Sequence, residues 1–198
     1  MTGAEMVQAR RSVRETQRAL ASVYRLELPV DAWRFLLSAA DVREMLPGAT
    51  PRSGLVACEE QGELFLGLYL DPGDVADPDT VVEETSHFVC LAWHASQRRP
   101  VSALILELQS EVDRYLLARL RGRRALGHFE AFAWDDWMDR ETRGRYERAH
   151  QAGHRYCRGL ETRYPDRADL PGLLEELRRF YRAPGPAKLR TAHAGGLA

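Results

Sequence analysis

Apolar residues recur at helical spacing along most of this chain. Met6, Val13 and Leu20 stand seven apart among arginines, and Val23 and Tyr24 extend the stripe. This predicts an amphipathic helix over 4–24 that Pro29 ends. A second run opens at Asp31, a residue type suited to an N-cap, and carries Trp33, Leu36, Leu37, Ala40 and Met45 to the breaker Pro47-Gly48. Both read as packing elements. The pattern then changes. Leu55-Val56-Ala57-Cys58 and the apolar run from Leu64 to Leu70 flank Gln61-Gly62 and predict a β-hairpin, after which Asp71-Pro72-Gly73-Asp74 and Asp77-Pro78 break the chain.

From Asp79 the pattern is helical nearly to the end, with helices expected over 79–97, 101–121, 141–163 and 173–181. Gly122 and Gly127 bracket an arginine-rich turn, and Phe129, Phe132, Trp134 and Trp137 suggest a short aromatic helix. The stretch 184–198, rich in Gly, Ala and Pro, reads as a disordered tail. The fold class expected is α+β, mostly α-helical, with one small hairpin followed by a helix pair. A single domain is expected over 1–183, with 1–28 as an N-terminal helical arm.

Composition narrows the function. The 198 residues are 44% apolar and 29% charged, enough for a buried core. Twenty-eight basic and 29 acidic residues give a net charge of -1, which excludes a generally basic nucleic-acid binder. Locally, Arg119-Leu120-Arg121-Gly122-Arg123-Arg124 is basic. Asp135, Asp136 and Asp139 follow it among the aromatics and would repel a phosphate backbone, so no nucleic-acid partner is expected. No apolar run approaches the ~20 residues of a membrane span and no signal-peptide core is evident. Cys58, Cys90 and Cys157 are odd in number and far apart, which suggests reduced thiols in a cytoplasmic protein. Gly-rich phosphate loops, dinucleotide fingerprints, Cys-x-x-Cys pairs and Gly-x-Ser-x-Gly elbows are all missing.

Candidate chemistry lies in three helices. On the first, Glu83 and His87 are four apart and Glu84 and His87 three apart, so either pair can meet one metal ion from a single turn. Cys90 and His94 continue that stripe. Their neighbours Val81, Val82, Phe88, Val89, Leu91 and Trp93 are apolar, so a carboxylate and an imidazole here need partners. On the second helix Glu111 falls in the apolar stripe of Leu104, Leu108 and Tyr115, with Glu107 at its edge. A carboxylate so placed serves a metal or a reaction, or pairs with an arginine such as Arg114 on the same helix. On the third, His150 and His154 share the four-residue spacing of paired imidazole ligands. His150 lies at the margin of the apolar face and is the better candidate, as a ligand or as an interfacial histidine.

The hairpin strand, the Asp-Pro loop and Val81-Val82-Glu83-Glu84-Thr85-Ser86-His87-Phe88 together resemble the zincin metallopeptidases over about residues 63–115. In that family a strand borders the cleft and the next helix carries His-Glu-x-x-His. The resemblance implies a zincin-like helix pair, with Glu84 as general base and His87 as the second histidine ligand. Glu83 stands where the family has its first histidine. In the glutamate-type branch the third ligand is a glutamate on a following helix, a place that Glu107 or Glu111 can fill. The implied cofactor is a divalent metal, zinc first and iron or manganese as alternatives. Replacing an imidazole by a carboxylate weakens a zinc site, so such a scaffold is inactive, uses another metal, or recruits His150.

Two other readings compete. Glu-x-x-His also resembles the carboxylate-bridged di-iron proteins, with Glu84 and His87, Glu107 or Glu111, and His150 or His154 on three helices; that family repeats the motif, and this chain has no second copy. The other is a non-enzymatic adaptor, whose buried carboxylates and histidines pair with arginines. Its N-terminal helix and segment 129–137 would then meet a protein or peptide partner.

Overall fold

Helix α1 (Gly3–Tyr24) forms where the seven-residue spacing predicts it, and Ala9, Val13, Leu20 and Tyr24 on it are completely buried. That stripe is part of the core. The computed structural model describes residues 1–48, 50–61, 63–130 and 138–196. They divide into two compact units: 1–21 with 27–99, and 22–26 with 100–198. Among the described residues no helix is long and apolar enough to cross a membrane.

In the first unit the helix expected from Asp31 to Met45 is split. Ala32–Phe35 form a single 3₁₀ turn, Leu36 is extended, and α2 spans only Ala39–Met45. Two local interactions interrupt it. Ser38 accepts from the Asp41 N–H while Asp41 accepts from the Ser38 N–H, a reciprocal cap that starts a new helix. The Leu37 N–H donates to the Leu68 carbonyl at 2.8 Å, which draws Leu36 alongside the sheet. That sheet is the expected hairpin: β1 (Gly54–Glu60) runs antiparallel to β2 (Glu63–Tyr69), with Cys58 opposite Phe65.

The Ser53 hydroxyl then ties the strand entrance to the loop beyond it, accepting from the Asp71 N–H at 2.8 Å and donating to Asp74 at 2.6 Å. Asp77 caps α3 (Pro78–Ser96) by accepting from the Asp79 and Thr80 N–H groups, and Pro78 fits the first turn because it has no N–H to leave unpaired. Val81, Phe88 and Ala92 of α3 pack with Ala9, Val13, Leu68 and Leu70, and the Phe35 and Phe88 rings lie 5.1 Å apart. One face of α3 is thereby held rigidly against the hairpin.

In the second unit α4 (Ala103–Leu120) packs on α6 (Arg140–Arg163). A short helix, α5 (Gly127–Glu130), lies between them in the chain, and α7 (Leu170–Arg182) follows. Of the expected aromatic helix, Phe129 belongs to α5, whereas Phe132, Trp134 and Trp137 lie outside the described residues. Ring stacking fills the interior: Tyr24 on Tyr181 and Tyr156 on Phe180, each pair 4.2 Å between centroids.

The expected disordered tail is instead a helix, α8 (Gly185–Ala194). Its anchor is Lys188, which is completely buried and donates to Gln109 Oε1 at 2.8 Å, over the rings of Phe180 and Tyr181. Gln109 in turn donates to Asp113, which also accepts from the Tyr24 hydroxyl. This chain of hydrogen bonds satisfies an ammonium that burial alone would make costly. Further along, α8 ends against α6: a Cβ on Gly159 would sit 1.9 Å from the Gly195 carbonyl oxygen. Gly159→Ala should therefore lower the melting temperature, because overpacking against backbone costs ~1–3 kcal/mol and outweighs the ~1 kcal/mol gained in helix propensity. An unchanged or higher melting temperature would show that α8 does not seat there.

Candidate metal centre

Glu83, Glu84 and His87 lie on one turn of α3, in the first unit. Glu84 and His87 are buried and Glu83 is half-buried. The helical spacing places His87 Nδ1 3.5 Å from Glu84 Oε2, and that oxygen accepts no hydrogen bond among the described residues. A carboxylate oxygen left this way in the interior is costly unless an ion or substrate group completes it.

Glu107 and Glu111 lie on α4, in the second unit. Glu107 is buried, with Arg145 of α6 3.7 Å from its Oε1. Within the first unit, Glu83 and His87 each offer a ligand atom within 4.8 Å of the other. Of the two glutamates eligible as third ligand, Glu111 is engaged within the second unit by Arg114, His128 and His150.

Glu111 has a different setting. Its side chain is 4% exposed and closely surrounded: Arg114 Nη2 and His128 Nε2 each lie 3.0 Å from Oε2, and His150 Nδ1 lies 3.1 Å from Oε1. An ionised carboxylate can only accept, so His150 carries a proton on Nδ1. The Arg114 pairing foreseen from the sequence is present. His150, expected as an added ligand, is engaged by Glu111. Gly153 makes this approach possible, because a Cβ there would come within 2.8 Å of the Glu111 Cβ. The Phe129 ring packs on His128, His150 and His154, at 3.9, 5.2 and 4.9 Å. His128 was not among the residues singled out above: it sits on the four-residue α5, too short for any periodicity to mark it.

Burial pushes the Glu111 carboxyl up, but the Arg114 guanidinium and the hydrogen bonds to His128 and His150 together hold it well below the usual carboxylate range. The sign for stability follows. A carboxylate whose folded pKa is lowered contributes stability that is complete above its unfolded value and lost as pH falls through the folded one. Urea midpoints should therefore fall between about pH 5 and about pH 3, and Glu111→Gln should flatten that dependence. An equally steep fall in the variant would assign the acid sensitivity elsewhere. His154 is shifted the other way, downward, by burial and by the Arg158 charge.

Compared with known proteins, the chain matches no family model, no curated protein and no solved structure.

Proposed function

We propose that the chain binds one divalent metal ion through Glu83 and His87 of α3, with Glu107 as the following glutamate that the zincin resemblance implies, and is a diverged, zincin-like hydrolase. The observation that carries this reading is that Glu83 and His87, at the positions of the degenerate motif, offer ligand atoms within 4.8 Å of each other from one turn of α3. The donor set is two carboxylates and one imidazole, which suits zinc, iron or manganese and favours zinc less than a two-histidine site does. A bound ion would supply Lewis acidity toward a substrate carbonyl. Glu84 takes up a proton at Oε2, the buried oxygen that accepts no hydrogen bond among the described residues. Its neighbour His87, fixed by the same helical turn, keeps that carboxylate in register.

Elemental mass spectrometry of the purified chain tests the reading. Near-stoichiometric metal is expected in the wild type, and its loss in His87→Ala and in Glu107→Ala. No metal after reconstitution with zinc, iron and manganese would end it.

A second reading has its own support. The arginine and histidines around Glu111 and the Arg145–Glu107 contact are what an adaptor with an interior carboxylate–histidine–arginine network requires. It predicts a metal-free protein whose function lies in a protein or peptide partner.

A further inference from the structure

The arginine-rich turn found in the sequence borders a cavity of about 640 Å³ in the second unit, a size within the range of small-molecule sites. We infer that this cavity binds a small organic phosphomonoester, independently of any metal. Four guanidinium groups line it: Arg119, Arg121, Arg123 and Arg167. Arg119 is committed, donating to Glu161 and to the Tyr164 carbonyl, and Glu161 also accepts from the Tyr115 hydroxyl at 2.8 Å. The Glu161 charge is therefore already balanced.

Asp166, the other acidic residue of the lining, accepts from the Asp169 backbone in a reciprocal cap. Arg121 and Arg167 are exposed and make no ion pair or side-chain hydrogen bond among the described residues. These two leave the lining positively charged, and planar guanidinium groups match phosphate oxygens two at a time.

The carbonyl end of α4 points a partial negative charge into the same region, which opposes an anion. Here it is largely quenched: the Arg121, Gly122 and Arg123 N–H groups donate to the Leu117, Arg119 and Ala118 carbonyls at 2.9 to 3.1 Å. Leu120 and Leu170 add apolar wall, so the ligand carries an organic moiety as well as the phosphate. A nucleic-acid backbone fits less well, since the chain as a whole has a net charge of -1.

The test is titration of the ¹⁵N-labelled full chain with ribose 5-phosphate at physiological salt, with ribose and inorganic phosphate as controls. Saturable shifts are expected at amides of 119–123 and 167–170 with ribose 5-phosphate at millimolar concentration or below, weaker ones with phosphate, and none with ribose. The Arg121→Gln/Arg167→Gln double variant should weaken binding about tenfold or more, as befits loss of charge-assisted bonds. Arg148→Gln, an exposed arginine outside the cavity, should leave it unchanged. All these side chains are exposed, so melting should match the wild type and folding loss cannot imitate the result. Undiminished binding by the double variant, no saturable shift, or phosphate binding as tightly as the ester would overturn the proposal. Tighter binding of a short single-stranded oligonucleotide would overturn it in favour of nucleic acid.

Discussion

Glu111→Ala should cost about 3–5 kcal/mol of unfolding free energy, the largest stability loss expected from any single change at the candidate centre. The reason is the asymmetry of burying ions. Arg114, whose side chain is 12% exposed, and two imidazoles share one interior carboxylate; alanine removes the acceptor and leaves its donors inside. Glu111→Gln keeps the shape and one acceptor, so it should fall between the two. Urea denaturation at neutral pH measures the difference. A loss below about 1 kcal/mol, the scale of an exposed pair, would mean the cluster does not hold the fold together. It would then have to be explained by a role in chemistry instead.

Glu84→Gln should separate metal binding from turnover. Glutamine is nearly isosteric and Glu84 is not one of the three proposed ligands, so metal content should stay at the wild-type level. It cannot accept a proton, and hydrolysis of a fluorogenic peptide panel by the metal-loaded protein should fall by about 10²–10⁴. Equal turnover in both proteins would remove Glu84 from the mechanism. A wild type that holds metal yet cleaves nothing would leave the binding reading intact and end the hydrolytic one. Metal content and turnover thus fail separately.

Local periodicity was enough to find the helix carrying Glu83, Glu84 and His87, because residues three and four apart must share a helical face wherever that helix packs. The hairpin was equally legible, since two apolar runs around Gln61-Gly62 have few other ways to pair. Glu107 could be narrowed only to one of two, because an edge position and a central position on α4 are both plausible until the helix is rotated against α6. What failed depended on contacts distant in sequence. The break at Leu36–Ser38 comes from the Leu68 carbonyl, 31 positions from the N–H that it binds. The ordering of α8 comes from Gln109, 79 positions from Lys188, and no composition rule could weigh that bond against so many Gly, Ala and Pro residues. His128 was invisible for the same reason: its only distinction is the carboxylate it meets on another helix.

Lys188 is the only lysine in the chain, every other basic side chain being arginine, and in the folded protein its ammonium is sealed from solvent. Reagents that acylate side-chain amines therefore have no target until α8 comes away from the aromatic rings beneath it. A pulse of such a reagent, read by the mass of the peptide that carries Lys188 so that the α-amino group is left out of the count, would register opening of that helix. The protein carries a built-in one-site reporter of its own breathing.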